Sequence, residues 1–123
     1  MPDCFCEIEG VRVMDCAAEG GLVSSGQDAV DLIGLARSHQ ADLVILPATR
    51  LGDDFFHLKT RIAGEVIQKF ATYGVRIAIL GDLSRYLSDS SALRDFVRES
   101  NDRSDCWFVA NRDELQRQLI RHR

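Results

Sequence analysis

The chain has 123 residues, of which 46% are apolar and 28% are charged, and its formal net charge is −4. That length fits one globular domain with a continuous core. The acidic balance argues against a nucleic-acid partner, because phosphate binding needs a basic face. No apolar run approaches the roughly 20 residues of a membrane span, and the N-terminal residues do not resemble a secretory signal. We therefore expect a cytoplasmic protein without a membrane partner.

The first predicted elements are two short strands, at residues 4–9 and 11–16, which form a hairpin. A loop of small residues then leads to Ser25, and Asp28 follows three positions later, as in a capping box. This pattern predicts the start of a helix that continues to about His39. Its predicted inward face consists of Ala29, Leu32, Ile33 and Ala36.

The central part of the chain predicts a βαβ unit. Apolar runs at 41–47 and 75–81 indicate buried strands, and an amphipathic helix over about 55–73 joins them. Two strands joined by one long helix run parallel with a right-handed crossover, and a parallel sheet needs cover on both faces. We expect Ile67 and Phe70 of this helix to lie in the core.

A second helical region is predicted over 84–101, broken at 88–91, where a serine caps its second segment. The last strand is predicted at 106–110. Asn111, followed three residues later by Glu114, then opens a C-terminal helix. The predicted inward face of that helix consists of Leu115, Leu119 and Ile120.

The predicted element order is ββαβαβαβα, within one domain that spans residues 1–123. The fold class is α/β, with a single-layer, mostly parallel sheet and helices packed on it. An antiparallel hairpin strand at 4–8 forms one edge. The strands at 41–47, 75–81 and 107–110 should run parallel to the strand at 11–16.

Polar residues that follow strands form a candidate ligand edge. In an open α/β sheet, ligands bind at the carboxyl ends of the strands, where Arg50, Asp53, Asp82 and Arg94 are expected. Each also has a structural explanation. An aspartate can cap a helix or make a turn, and a loop arginine is usually only solvated.

The sequence assigns no catalytic residue, metal ligand or cofactor. The pair Cys4 and Cys6 lacks the spacing of a structural zinc site, and His39, His57 and His122 are far apart in the sequence. We interpret the four cysteines as reduced thiols that behave as small apolar side chains.

Three segments resemble a bacterial family known only as domain of unknown function 4180. They are Ser24-Ser25-x-Gln27-Asp28, Phe55-Phe56-x-Leu58-x-Thr60-x-x-Ala63-Gly64-Glu65-x-x-Gln68-Lys69-Phe70, and Ser91-Ala-Leu-Arg-Asp-Phe-Val-Arg-Glu-Ser-Asn101. The resemblance extends over nearly the whole chain. It implies no activity and no catalytic residues.

The element order is also similar to that of STAS domains, the modules of sulfate transporters and anti-sigma-factor antagonists. That resemblance implies a non-enzymatic docking module, often switched by phosphorylation between the third strand and the second helix. This chain lacks the Asp-Ser-Ser-Gly type of motif there, and Thr60 is the only hydroxyl in residues 56–64. The implied docking or modification surface consists of His57, Thr60 and Arg61.

Two functional hypotheses follow. The first is a STAS-like interaction or regulatory module, more a binding protein than an enzyme, whose partner is another protein and whose homo-oligomerisation is left open. The alternative is a small-ligand-binding domain or enzyme that uses the carboxyl edge around Arg50, Asp53 and Asp82. We favour the first, because the sequence shows no assembled reaction centre.

Overall fold

The computed structural model describes residues 3–122, which form a five-stranded mixed sheet with six α-helices around it. The strands are β1 (Cys4–Ile8), β2 (Val11–Asp15), β3 (Leu43–Pro47), β4 (Arg76–Leu80) and β5 (Cys106–Val109). The helices are α1 (Gly26–Ser38), α2 (Gly52–Phe55), α3 (Ile62–Tyr73), α4 (Ser84–Leu87), α5 (Ser91–Asp102) and α6 (Arg112–Arg121), with 3-10 turns at Ala48–Arg50 and Leu58–Thr60.

The sheet has the predicted topology. Its strand order follows the chain from β1 to β5; β1 is antiparallel to β2, and the other pairs are parallel. The hairpin closes through Glu9 and Gly10, whose φ angles of +49° and +78° define a two-residue turn of the type that suits strand twist. That turn sets Ile8 opposite Val11.

The sequential order determines how the helices are distributed. Right-handed crossovers between strands taken in order leave the connecting helices on the same face of the sheet. One core is formed by that face together with α1, α3 and α5, and its members include Met14, Val44, Leu46, Ile77, Ile79, Ile33, Val66, Phe70 and Leu93. Phe70 is buried as predicted, and Ile67 is partly buried and packs against this core.

Helix α6 covers the opposite face of the sheet. Its Leu115 and Leu119 pack on a second core of Val13, Leu43, Ile45, Ala78, Trp107 and Val109. The N-terminal end of α6 reaches β2, where the Arg112 guanidinium lies 2.6 Å from the Asp15 carboxylate. The prediction that Ile120 faces inward is wrong: its side chain is 46% exposed. Leu115 and Leu119 are four residues apart and share a face, from which Ile120 is rotated away.

The predicted long helix over 55–73 is also wrong in its first part. The chain instead forms α2, the 3-10 turn Leu58–Thr60 and α3. Arg61 separates the last two because its φ is +65°, a left-handed conformation that no α-helix can pass through. The break lets the segment before Arg61 lie at the end of the sheet while α3 lies across its face.

The helix starts follow the predicted side-chain chemistry. The hydroxyls of Ser25 and Ser90 and the carboxamide of Asn111 each accept a hydrogen bond from a backbone N–H in the first turn of α1, α5 and α6. The predicted break near 88–91 is therefore confirmed, with Ser90 as the cap. Helix α1 has a further acceptor, because the Glu65 carboxylate of α3 accepts from Gly26 N at 2.8 Å. No helix in the described range 3–122 has the length and apolar character needed to cross a membrane.

Truncating the core of α3 should destabilise the whole domain. We expect Phe70→Ala to lower the free energy of unfolding by roughly 3–5 kcal/mol, since Phe70 is fully buried in the first core. Tyr73→Ala is the matched control on the same helix, because Tyr73 is 44% exposed and should cost less than about 1 kcal/mol. Urea denaturation measures both. Equal losses would contradict the assignment of the buried face.

Truncating the buried face of helix α6 should also destabilise the domain. Leu115→Ala removes a fully buried side chain from the second core and should cost roughly 2–5 kcal/mol, whereas Ile120→Ala should change the free energy of unfolding by about 0.5 kcal/mol or less. The comparison can be made by thermal or urea unfolding. A small effect of Leu115→Ala would mean that packing of α6 on the second face of the sheet contributes little to the stability of the domain.

Candidate functional site

Arg50 lies in the loop after β3 and holds the loop after β2. Its Nε donates to Gly21 O at 3.0 Å, and its Nη1 donates to Ala17 O at 3.3 Å. The guanidinium lies so close to Gly20 that a Cβ built there would come within 2.6 Å of Cζ. The Arg50 side chain therefore links the loop after β3 to the loop after β2.

Asp53 faces the other way, toward the segment after β4. Its Oδ1 accepts from Arg85 Nη2 at 2.7 Å and from the hydroxyl of Tyr86. The Tyr86 hydrogen bond is the main reason that the pKa of Asp53 lies below its ordinary value, and the charge of Arg85 adds to the effect. The Arg85 guanidinium also lies over the Tyr86 ring, 4.7 Å from its centroid.

Asp82 and Arg94 hold the two ends of α4. The Asp82 carboxylate accepts from Ser84 N at 2.9 Å, which confirms its prediction as a turn residue and keeps its pKa below the ordinary value. Arg94 Nη1 donates to Leu87 O. No hydrogen bond or ion pair within residues 3–122 joins any two of the four predicted edge residues.

A groove does lie at this edge, and we call it the carboxyl-edge groove. It has a volume of about 490 Å³ and runs between the turn after α2 and the segment that contains α4 and the start of α5. Phe56 and Tyr86 form its aromatic side, with their rings stacked at a centroid distance of 4.4 Å. It is lined by Phe56, His57, Leu58, Lys59, Arg85, Tyr86, Asp89, Ser90 and Ala92. His57, a predicted docking residue, thus lines the same groove as Arg85, the partner of Asp53.

The turn beside the groove is exposed and basic. The side chains of His57, Lys59 and Arg61 are all exposed. In the described part of the chain, neither Lys59 nor Arg61 forms an ion pair. Lys59 and Arg61 therefore present their charge to solvent beside the carboxyl-edge groove, which His57 and Lys59 line.

Thr60 is exposed, but its hydroxyl is part of this turn. Thr60 Oγ1 lies 2.8 Å from both Asp54 O and His57 O, to which it donates, and accepts from Ile62 N at 3.3 Å. These bonds tie the end of α2 to the start of α3. The hydroxyl thereby holds the backbone that carries the basic side chains.

The cysteines do not gather into a reactive site. Cys16 and Cys106 are buried, and burial raises the pKa of each thiol to about 12, so both stay protonated at neutral pH. Cys4 and Cys6 lie on the exposed edge strand. Residues 3–122 contain no group of three His, Cys, Asp or Glu side chains placed to hold a metal ion.

The fold and the groove define an α/β protein with a mixed five-stranded sheet and an open, aromatic-sided groove at its carboxyl edge. The model of the family described as domain of unknown function (DUF4180) matches residues 8–119, and the chain belongs to this family. Comparisons with curated proteins and with solved structures return no match.

The sequence does not mark Lys59, Arg85 or Tyr86 as groove residues. Lys59 lies between two residues of the predicted docking surface, and the alternation of basic residues over 57–61 was the available signal. Arg85 and Tyr86 follow the turn at Asp82. Nothing in their spacing indicated that they would bind Asp53, more than thirty positions earlier.

The role of the Thr60 hydroxyl can be tested by removing it without changing the side-chain shape. Thr60→Val should lower the free energy of unfolding by roughly 1 kcal/mol, because the hydrogen bonds to Asp54 and His57 are lost. Thr60→Ser keeps the hydroxyl and should retain most of that stability. Amide exchange measured by NMR should accelerate over residues 54–62 in the valine variant only. The same exchange rates in both variants would show that the hydroxyl does not hold the turn.

Proposed function

We propose that this protein is a non-enzymatic, cytosolic interaction module of STAS-like type, which binds an acidic segment of another protein in the carboxyl-edge groove. The observation that carries the proposal is the groove itself, with an aromatic side next to an exposed basic turn. The element order, a hairpin followed by alternating helices and strands, supports the STAS-like comparison at the level of fold order alone.

The chemistry of the groove favours an acidic segment with an apolar anchor. Phe56, Leu58 and Tyr86 offer apolar surface to a side chain that enters the groove. His57 and Lys59 line the groove and Arg61 follows them, without an acidic residue between the three; the lining also contains Asp89, in the segment between α4 and α5. In a protein with a net charge of −4, this local positive charge would attract acidic partners and repel basic ones.

The alternative, a small ligand bound around Arg50, Asp53 and Asp82, has less support. Each of these side chains is engaged with another part of the same chain. A ligand would have to replace those contacts, and no hydrogen bond or ion pair among residues 3–122 joins any two of these three side chains. A protein segment can use the open groove while the internal bonds remain in place.

Thr60 is a candidate point of regulation within this proposal. A phosphate on its oxygen would remove the hydroxyl hydrogen that bonds Asp54 O and His57 O, and would add negative charge beside the basic turn. Both changes would weaken an interaction with an acidic segment. The Thr60→Glu variant should imitate the charge effect.

The proposal predicts charge-selective peptide binding at one place. A pool of synthetic peptides that alternate acidic and large apolar residues should shift backbone amide signals of residues 56–61 and 85–92 in NMR spectra. A matched pool with lysine in place of the acidic residues should not. Binding of the acidic pool should weaken as salt is raised, because the rim charges are exposed.

A pair of charge reversals supplies the control. Lys59→Glu should weaken binding of the acidic pool roughly tenfold. Arg117→Glu changes the net charge equally but lies on α6, away from the groove, and should leave the affinity within about twofold of the wild type. Equal effects of the two variants, or signal shifts elsewhere, would contradict the proposed docking site.

A further inference from the structure

A second cavity lies between α3 and α5, on the face of the sheet that carries the first core. Its volume is about 220 Å³, and it shares no lining residue with the carboxyl-edge groove. Its walls include Gly64, Ile67 and Ala71 of α3 and Phe96 and Glu99 of α5. We call this cavity the interhelical cleft.

Small residues of α3 keep the interhelical cleft open. Gly64 and Ala71 are seven positions apart, about two turns, and lie on the same side of the helix. A Cβ built at Gly64 would meet no heavy atom of a neighbouring segment within 4 Å. Glycine inside a helix is less stable than alanine, and protein interiors contain few voids larger than a water molecule. Neither helix stability nor packing therefore requires glycine at this position.

The inner part of the cleft is apolar. Ile67 and Phe96 are partly buried and pack against the first core. The Cys106 side chain also lines the cleft and is buried, as a thiol that stays protonated at neutral pH. An apolar cavity of about 150 Å³ is large enough to bind benzene. The interhelical cleft therefore has room for one aromatic ring with a short chain attached.

The solvent side of the cleft carries an unpaired negative charge. Arg103 and Asp105 both line the cleft and form an ion pair with each other, with 4.0 Å between Nη2 and Oδ2. Glu99 is exposed, and within residues 3–122 its carboxylate forms no hydrogen bond or ion pair. Because Asp105 offsets the charge of Arg103, the Glu99 carboxylate favours a cationic ligand over an anionic one.

We propose that the interhelical cleft binds a small organic amine that carries one aromatic ring, of the arylalkylamine class. The ring lies against Phe96, Ile67 and the Cys106 thiol. The ammonium group lies at the solvent side, where it donates a hydrogen bond to the Glu99 carboxylate. This site is separate from the proposed docking of a protein segment, and neither proposal depends on the other.

Three probes of similar shape test the class of ligand. They are 2-phenylethylamine, the neutral 2-phenylethanol and the anionic 3-phenylpropionate, each titrated into the full chain and followed by NMR. The amine should shift backbone amide signals of residues 64–71 and 96–106 and reach saturation. The alcohol should bind at the same place roughly fivefold more weakly, because it lacks the ion pair, and the carboxylate more weakly still.

Removing one charge tests the role of Glu99. Glu99→Gln should lower the affinity for the amine roughly fivefold and leave the affinity for the alcohol within about twofold of the wild type. Glu7→Gln is the matched control, because it removes the same charge from an exposed position on β1. That variant should bind all three probes like the wild type.

Filling the cleft tests its position. Gly64→Leu should abolish the shifts caused by both the amine and the alcohol, without lowering the melting temperature, because leucine favours the helix and has room in the cleft. Gly34→Leu is the control: Gly34 lies in α1, where a Cβ also meets no neighbouring atom, and this variant should bind normally.

Three results would overturn the proposal. Equal binding of the amine and the alcohol, or equal effects of Glu99→Gln and Glu7→Gln, would show that Glu99 does not recognise an ammonium group. Wild-type affinity in a folded Gly64→Leu variant would mean that the probes bind elsewhere. A wild-type chain without saturable shifts would exclude the site. The Glu99 comparison holds even where Gly64→Leu does not fold.

Discussion

The packing of α6 on the second face of the sheet is the interaction on which the rest of the structure depends. Strands taken in chain order with right-handed crossovers leave α1, α3 and α5 on one face. A parallel sheet cannot leave its other face in water without exposing the apolar side chains of β2, β3 and β4. Leu115 and Leu119 cover them, and the Arg112–Asp15 ion pair fixes α6 across to β2. The last helix therefore completes a core that the preceding elements leave open.

The loops at the carboxyl ends of the strands, where ligands bind in open α/β sheets, are held by internal contacts. Arg50 holds the loop after β2, Asp53 binds the segment after β4, and Asp82 begins α4. These contacts position the walls of the carboxyl-edge groove, and each is made within the chain itself. The proposed docking of a protein segment uses these walls without replacing any of those contacts. The carboxyl-edge groove combines an aromatic side with exposed positive charge at Lys59 and Arg61, so the proposed docking of a protein segment should depend on salt.

The amino-acid sequence by itself determined the features that depend on neighbours a few positions away. These are the helix caps at Ser25 and Asn111, the hairpin and the parallel βαβ unit, all of which were predicted and found. Tertiary structure alone decided the break at Arg61, the outward position of Ile120 and the meeting of Asp53 with Tyr86. The physical reason is the sequence distance over which the interactions act. Helix caps and hydrophobic periodicity depend on residues within one or two turns. The other features depend on contacts between segments that are distant in sequence.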